Sequence, residues 1–153
     1  MAHAFDPGAS ARASIGSGLY MVLGTADEAG TPWTTPVYYA HVEMRQFIWV
    51  SRPERRHSRN IAARPEVSIV IFDSGVPINS GQAVYLTGSA HEASSEELPE
   101  MVEIFSRRSQ LHGGMPFAVE GVTAPRALRL YVAATTEAWV LEPGTDNRMP
   151  VAF

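Results

Sequence analysis

The chain contains neither cysteine nor lysine, and each absence removes a class of chemistry. Without cysteine there is no disulfide, no thiolate nucleophile and no cysteine-ligated metal. Without lysine there is no Schiff base to a carbonyl substrate or to pyridoxal phosphate, and no P-loop lysine. All 12 basic residues are therefore arginines, and the net charge of −4 argues against general binding to nucleic acid, which favours a basic face.

The sequence also lacks long apolar runs. None approaches the roughly 20 residues that a helix needs to cross a bilayer. The segment Met1–Ser14 has no basic stretch followed by an apolar stretch, so we expect no secretory signal and a cytoplasmic protein. The 153 residues, 45% of them hydrophobic and 18% charged, are enough for one globular domain.

Strand signals dominate what is present. Apolar and β-branched runs predict six strands, over residues 19–25, 33–42, 47–51, 67–72, 82–92 and 126–141. The fourth is apolar on both faces and is predicted to be central, and Gly88 in the fifth predicts a bend or a close backbone approach. We predict one domain over residues 15–142, an N-terminal tail over residues 1–14 and a C-terminal tail over residues 143–153.

Two short helices are predicted between these strands. One covers His57–Arg64 and is ended by Pro65. The other follows Ser94, which has capping-box spacing to Glu97. Because crossover helices are missing between most strands, the pattern predicts a mainly β fold, an antiparallel six-stranded barrel with short flanking helices.

The most concentrated chemical signal is a basic turn after the third strand. It carries the hydroxyls of Ser51 and Ser58, the imidazole of His57 and five arginines, namely Arg52, Arg55, Arg56, Arg59 and Arg64. Arginine forks match phosphate oxygens, and the start of a helix adds N–H donors. The turn is either a site for a terminal phosphate or a solvated basic surface, and the residues alone leave both interpretations open.

Other candidate residues have equally simple packing explanations. Thr34 and Thr35 could hydrogen-bond a planar heterocycle, and Trp139 could stack on a ring. Tyr38, Tyr39 or His41 could face a substrate, but no catalytic residue is identified. The histidines lack metal-ligand spacing, so no metal site is predicted; they are His3, His41, His57, His91 and His112.

Three segments, in this order, resemble the pyridoxamine-5′-phosphate-oxidase-like, FMN-binding split-barrel family. They are residues 19–42, 47–73 and 81–93, and the most specific stretch is Arg55–Asn60. The similarity covers roughly residues 15 to 142. The resemblance implies a split β-barrel and a homodimer with FMN in a cleft between the protomers.

The resemblance also implies a set of site residues. Those beside the ring, the ribityl chain and the phosphate are Thr35, Pro36, Val37, Val50, Ser51, Arg55, Arg56 and His57, and the partner protomer would add Gln82 and Trp139. Family members that oxidise pyridoxamine phosphate commonly use a lysine in the phosphate turn, and His57 stands nearest that place; a phosphate would favour the charged form of that histidine. Arg148 is the only C-terminal arginine and no histidine follows it, so vitamin B6 oxidation is not expected.

The function implied is an FMN-dependent oxidoreductase acting on a small organic substrate. The flavin would carry the hydride chemistry while the protein binds and orients it. One alternative is a reductase that binds the deazaflavin F420, whose longer acidic tail would use Arg52 and Arg59. Another is a non-catalytic flavin-binding or haem-binding protein. No nucleic-acid or membrane partner is expected.

Overall fold

The computed structural model describes residues 4–153; residues 1–3, with His3 and the beginning of the predicted N-terminal tail, lie outside the described residues. In chain order the elements are α1 (Pro7–Ser17), β1 (Tyr20–Ala26), β2 (Pro32–Tyr38), β3 (Ala40–Val42), β4 (Gln46–Ser51), α2 (Arg56–Ala63), β5 (Glu66–Phe72), β6 (Ala83–Glu92), α3 (Leu98–Leu111), a 3₁₀ turn (Val119–Val122), β7 (Arg129–Leu141) and β8 (Arg148–Pro150).

The strands form one antiparallel sheet that curls into a half-open barrel. Its order is β2-β1-β5-β6-β7-β4-β3, and β8 pairs with β7. Since β2 and β3 are consecutive in the chain and are joined only by Tyr39, the two ends of this order meet. The predicted mainly β, antiparallel split barrel is thereby confirmed.

The strand count of the described residues is eight, so the predicted six is wrong. The predicted second strand is divided at Tyr39, where pairing passes from β1 to β4. The buried Tyr39 hydroxyl donates a hydrogen bond to the Ile15 carbonyl at 2.6 Å, which holds the division in place. The other additional strand is β8, which pairs with the end of β7.

The segments predicted as tails pack against the barrel. Asp6 caps α1 by accepting a hydrogen bond from the Ala9 N–H at 3.0 Å, and Pro7 occupies the first helical position. Ala11 of α1 and Val151 after β8 are both buried in the barrel core. The segment of α1 and the segment after β7 therefore both contribute apolar side chains to the core, although neither has a clear periodic pattern of apolar residues in its sequence.

The core has two parts, one inside the barrel and one beneath α3. The interior cluster includes Leu23, Phe47 and Trp49, and the second cluster places Phe105 of α3 against β3, β4 and β7. The predicted fourth strand, β5, lies between β1 and β6, as a central strand should. Only one of its faces is buried, however, and Phe72 is 52% exposed.

Two local sequence predictions are confirmed in atomic detail. The Ser94 N–H donates to Glu97 Oε2 at 2.9 Å and the Glu97 N–H donates to Ser94 Oγ at 3.3 Å, as a capping box requires. Pairing between β6 and β7 shifts register at Gly88, where an added Cβ would lie 2.5 Å from the Ala134 carbonyl oxygen.

None of the helices within residues 4–153 has the length and apolar character to cross a membrane.

Candidate functional site

The barrel opens where β2 and β4 separate. β3 pairs with β4 as far as Ala40 and Ile48, whereas β2 pairs with β1. We call this opening the split; α2 lies beside it and contacts β1 and β2. An edge strand presents N–H and C=O groups without a strand partner, so β2 offers hydrogen-bonding groups to a ligand there. Thr35, Pro36 and Val37 lie on this strand, and Val50 and Ser51 end β4 on the other side.

The start of α2 is built to attract an anion. Pro53 follows β4, and the Arg55 N–H donates to the Arg52 carbonyl at 3.1 Å, which turns the chain into the helix. Arg55 is the N-cap residue but makes no side-chain cap, and the first turn contains no acidic residue. The first N–H groups of a helix lack intrahelical acceptors and carry positive potential. They remain available to an external acceptor.

Three exposed arginines surround this helix start. Within residues 4–153, the side chains of Arg55, Arg56 and Arg59 make no ion pair and no hydrogen bond to protein. Two other arginines of the turn are engaged: Arg52 pairs with Glu54 at 3.9 Å, and Arg64 donates to a backbone carbonyl at 3.1 Å. The unpaired positive charge is therefore concentrated on the three residues nearest the helix start and first turn.

Arg56 is held in position by Trp33. Its guanidinium carbon lies 4.5 Å from the centroid of the indole ring, a cation–π contact. Asn60 of α2 donates to Thr25 Oγ1 at 3.0 Å, and Thr25 in turn donates to the Trp33 carbonyl at 3.4 Å. This chain of contacts fixes α2 against β1 and β2, so the arginine head group is placed by tertiary structure.

A cleft of about 450 Å³ lies between α2 and the β1–β2 turn. Its lining residues are Asp27, Glu28, Ala29, Arg56, Arg59, Asn60 and Ala63. Hydrogen bonding from the Thr31 N–H lowers the pKa of Asp27, and the charge of Arg56 adds to this. Gly30 closes the turn at φ +86°, a left-handed conformation that other residues adopt at a cost. The cleft thus has a basic helical wall and an acidic turn opposite.

His57 does not point outward with the arginines. It is only 8% exposed, and its Nε2 lies 2.8 Å from Ser51 Oγ at the end of β4. Burial lowers the pKa of His57, and the neighbouring Arg55 lowers it further. Both effects favour the neutral form of the histidine in the free protein. The assignment of His57 to the phosphate stays a prediction. Its hydrogen bond to Ser51 connects the buried imidazole to the split.

Gln82 and Trp139 lie away from the split within one chain. Gln82 accepts a hydrogen bond from Ser10 of α1 at 3.3 Å and lines a groove with Tyr20 and Phe72. Trp139 is half-buried on β7, opposite Tyr85 of β6. Their assignment to a flavin site depends on a second protomer and stays a prediction.

The tyrosines and histidine considered as substrate contacts have different surroundings. Tyr39 is fully buried and His41 bonds the Glu43 carbonyl at 2.7 Å, so packing accounts for both. Tyr38 is half-buried, and its hydroxyl lies 2.8 Å from Nδ1 of His112. The Tyr38–His112 pair and the Arg56–Trp33 pair were missed by sequence reasoning, because the partners are far apart in the chain and no motif joins them.

Solved structures share this fold at low sequence identity. A haem binding protein from Mycobacterium smegmatis superposes with a TM-score of 0.77 and 17% identity over 97% of this chain. The haem storage protein HutZ from Vibrio cholerae gives 0.68 and 14%, over 84% of this chain and 89% of that one. An F420 reductase gives 0.61 and 18%, over 83% and 94%. The chain spans only 58% of the length of the mycobacterial protein.

Sequence comparison places the chain more firmly. No protein of curated function is detectably similar to it in sequence. The family model for pyridoxamine 5′-phosphate oxidase, however, matches residues 9–140, which include every element from the body of α1 to the end region of β7. Together with the split antiparallel barrel, this match shows that the chain belongs to the pyridoxamine 5′-phosphate oxidase family.

Proposed function

We propose that this protein binds FMN in the split and acts as an FMN-dependent oxidoreductase on a small organic substrate. The observation that carries the proposal is the start of α2, where Arg55, Arg56 and Arg59 are exposed and unpaired beside a helix end without a side-chain cap. A phosphate dianion would satisfy these groups, because arginine forks and helix N–H groups are the donors that phosphate oxygens accept best.

The dimensions of β2 suit a ligand with a phosphate at one end and a flat ring at the other. Trp33, which holds Arg56, and Val37 are four residues apart, about 13 Å along a strand that rises roughly 3.3 Å per residue. Between them Thr35 and Pro36 border the split. A flavin whose phosphate meets Arg56 would therefore place its ring near Val37 and Val50.

The residues of this chain bind and orient the cofactor, and the bound flavin supplies hydride transfer. Asp27 and Glu28 stand on the opposite wall of the cleft and oppose an anion that approaches from that side. They would favour a pose in which the phosphate stays against α2. The acidic wall also repels a second anionic group farther from the phosphate. It therefore favours FMN over F420, which has a longer acidic tail.

We further propose that the functional unit is a homodimer. Tyr20 and Phe72 are 61% and 52% exposed and border the groove that contains Gln82. Exposed apolar surface of this kind marks protein interfaces. A second copy seated on this face would bring Gln82 to the boundary between protomers, where the family resemblance expects it.

An F420-binding reductase is the second candidate. It is supported by Arg59, which lines the same cleft as Arg56 and could meet the additional negative charge of a longer acidic tail. The acidic residues of the β1–β2 turn oppose such a tail. Haem binding, the property named for two proteins of similar fold, is a third outcome that the same titration would reveal.

The test is a direct titration of the purified protein with FMN, F420 and haem, followed by absorbance and flavin fluorescence. We expect saturable FMN binding, and Arg56→Ala should weaken it by roughly 10- to 100-fold, the value of one charge-assisted contact of about 1.5–3 kcal/mol. Arg12→Ala removes the same charge from the exposed face of α1 and should leave the affinity unchanged.

Two results would contradict the proposal. One is the absence of saturable FMN binding by the well-folded protein. The other is equal FMN affinity of the Arg56→Ala and Arg12→Ala variants, which would show that the phosphate does not bind at the start of α2. Tight binding of F420 or haem with no FMN binding would transfer the assignment to that ligand.

A further inference from the structure

The Ser51–His57 pair joins the two sides of the candidate phosphate site. Ser51 is the last residue of β4 and His57 is the second residue of α2, so the hydrogen bond of 2.8 Å bridges the strand end and the helix start. Ser51 is half-buried, while His57 is 8% exposed. A ligand in the split would meet the serine hydroxyl before it met the imidazole.

The protonation state of His57 decides where the Ser51 hydrogen points. In the neutral tautomer that carries its proton on Nδ1, the imidazole accepts the serine O–H at Nε2, which directs that hydrogen away from the split. A charged imidazolium carries hydrogens on both nitrogens and can only donate. Ser51 Oγ must then accept from His57, and its own hydrogen is free to be donated to an anion in the split.

We propose that His57 is a positioning residue that, on taking up a proton, turns the Ser51 hydroxyl toward a bound phosphate and makes FMN affinity increase as the pH falls. This inference rests on the proposed function. It concerns a feature of this chain, since His57 stands nearest the place where family members that oxidise pyridoxamine phosphate commonly use a lysine.

The charges around His57 allow such a response. Burial and Arg55 lower the pKa of His57 in the free protein. The charged groups around α2 come from three places. The turn and helix carry Arg55, Arg56, Arg59 and Arg64 and the Arg52–Glu54 pair, and the β1–β2 turn carries Asp27, which faces Arg56, and Glu28. Glu92 of β6 pairs with Arg129 of β7 at 3.4 Å. Ser51 adds no charge. A phosphate dianion at the start of α2 would add negative charge beside His57, oppose the effect of Arg55 and raise the pKa of His57.

The sign of the pH dependence follows by linkage. If the pKa of His57 is higher in the complex than in the free protein, binding takes up a proton and affinity rises as the pH falls between the two values. Each unit of difference gives about a tenfold change in the dissociation constant. The phosphate itself has a second pKa of about 6, and losing its second charge on acidification would weaken binding, which is the opposite trend.

The experiment measures the FMN dissociation constant by fluorescence quenching from pH 8.5 to 5.5 for the wild type, His57→Gln and Ser51→Ala. The wild type should bind FMN about tenfold more tightly at pH 6 than at pH 8, relative to the His57→Gln variant over the same interval. Ser51→Ala should lose part of this gain. Riboflavin, which lacks the phosphate, should show no such difference between wild type and variant.

A second measurement keeps the inference testable if a variant folds poorly. A proton NMR titration of the wild-type histidines should show one buried residue whose pKa rises when FMN is added. Equal pH profiles for wild type and His57→Gln, or an unchanged histidine pKa on saturation with FMN, would overturn the inference and leave the proposed function intact. No FMN binding at any pH would overturn the proposed function instead.

Discussion

Arg108 of α3 ties three separate elements together, and its removal should destabilise the whole fold. Its Nε donates to the Tyr39 carbonyl at 3.0 Å, at the division between β2 and β3. Its terminal nitrogen donates to the Gly18 carbonyl at 2.7 Å, just after the end of α1. The guanidinium also lies 5.2 Å from the Tyr39 ring centroid. One side chain thus satisfies backbone carbonyls from two places where no strand or helix partner is present.

The expected loss can be worked out from these contacts. Arg108→Ala removes two well-formed charge-assisted hydrogen bonds, each worth about 1.5–3 kcal/mol when its partner is shielded from water. Because Arg108 is half-buried and water can replace part of this, we expect a loss of about 3 kcal/mol in the free energy of unfolding. For a domain of this size that corresponds to a fall in Tm of roughly 6–12 °C.

The neighbouring Arg107 provides a matched control. It is on the same helix but 69% exposed, and it pairs with Glu103 at 2.6 Å. Such surface pairs contribute only about 0.2–1 kcal/mol, so Arg107→Ala should have a small effect. Urea unfolding followed by far-UV circular dichroism, at one fixed protein concentration, measures both variants. If Arg108→Ala lost no more stability than Arg107→Ala, the reasoning about the buried carbonyls would be refuted.

Two further predictions concern the backbone and the histidines. Gly88→Ala should lower the free energy of unfolding by about 2–3 kcal/mol, because the added Cβ would lie 2.5 Å from the Ala134 carbonyl oxygen. In the control Gly16→Ala, in α1, the added Cβ meets nothing within 4 Å, so this change should be neutral or stabilising. Thermal unfolding compares the two variants. Burial lowers the pKa of His41 and of His57, so below about pH 6.5 the unfolded chain binds more protons than the folded one and stability should fall as the medium is acidified. Urea unfolding from pH 8 to 5 checks this; stability that rose on acidification in the wild type, or an undiminished loss in the His41→Gln variant, would contradict the account.

Local sequence patterns predicted the elements whose signals are themselves local. The capping box of Ser94 and Glu97 depends on residues three apart, and Gly88 marks a close approach because only glycine lacks the Cβ that would clash. The start of α1 also had a local signal, since Asp6 and Pro7 are a favoured N-cap and first helical residue, but the glycines and serines that follow weaken the helical pattern. The division between β2 and β3 at Tyr39 had no local signal, because β-branched and aromatic residues continue across it.

By itself the sequence determined the antiparallel strand pattern, the basic turn after the third strand and the exclusion of cysteine and lysine chemistry. The tertiary structure alone decided how that turn is used: Arg56 rests on Trp33, while His57 turns inward to Ser51. The sequence lists Arg56 and His57 side by side as two basic groups. On a helix, adjacent residues point about 100° apart. Which of them lines the cleft beside the β1–β2 turn and which is buried is therefore settled only when α2 packs against β1 and β2.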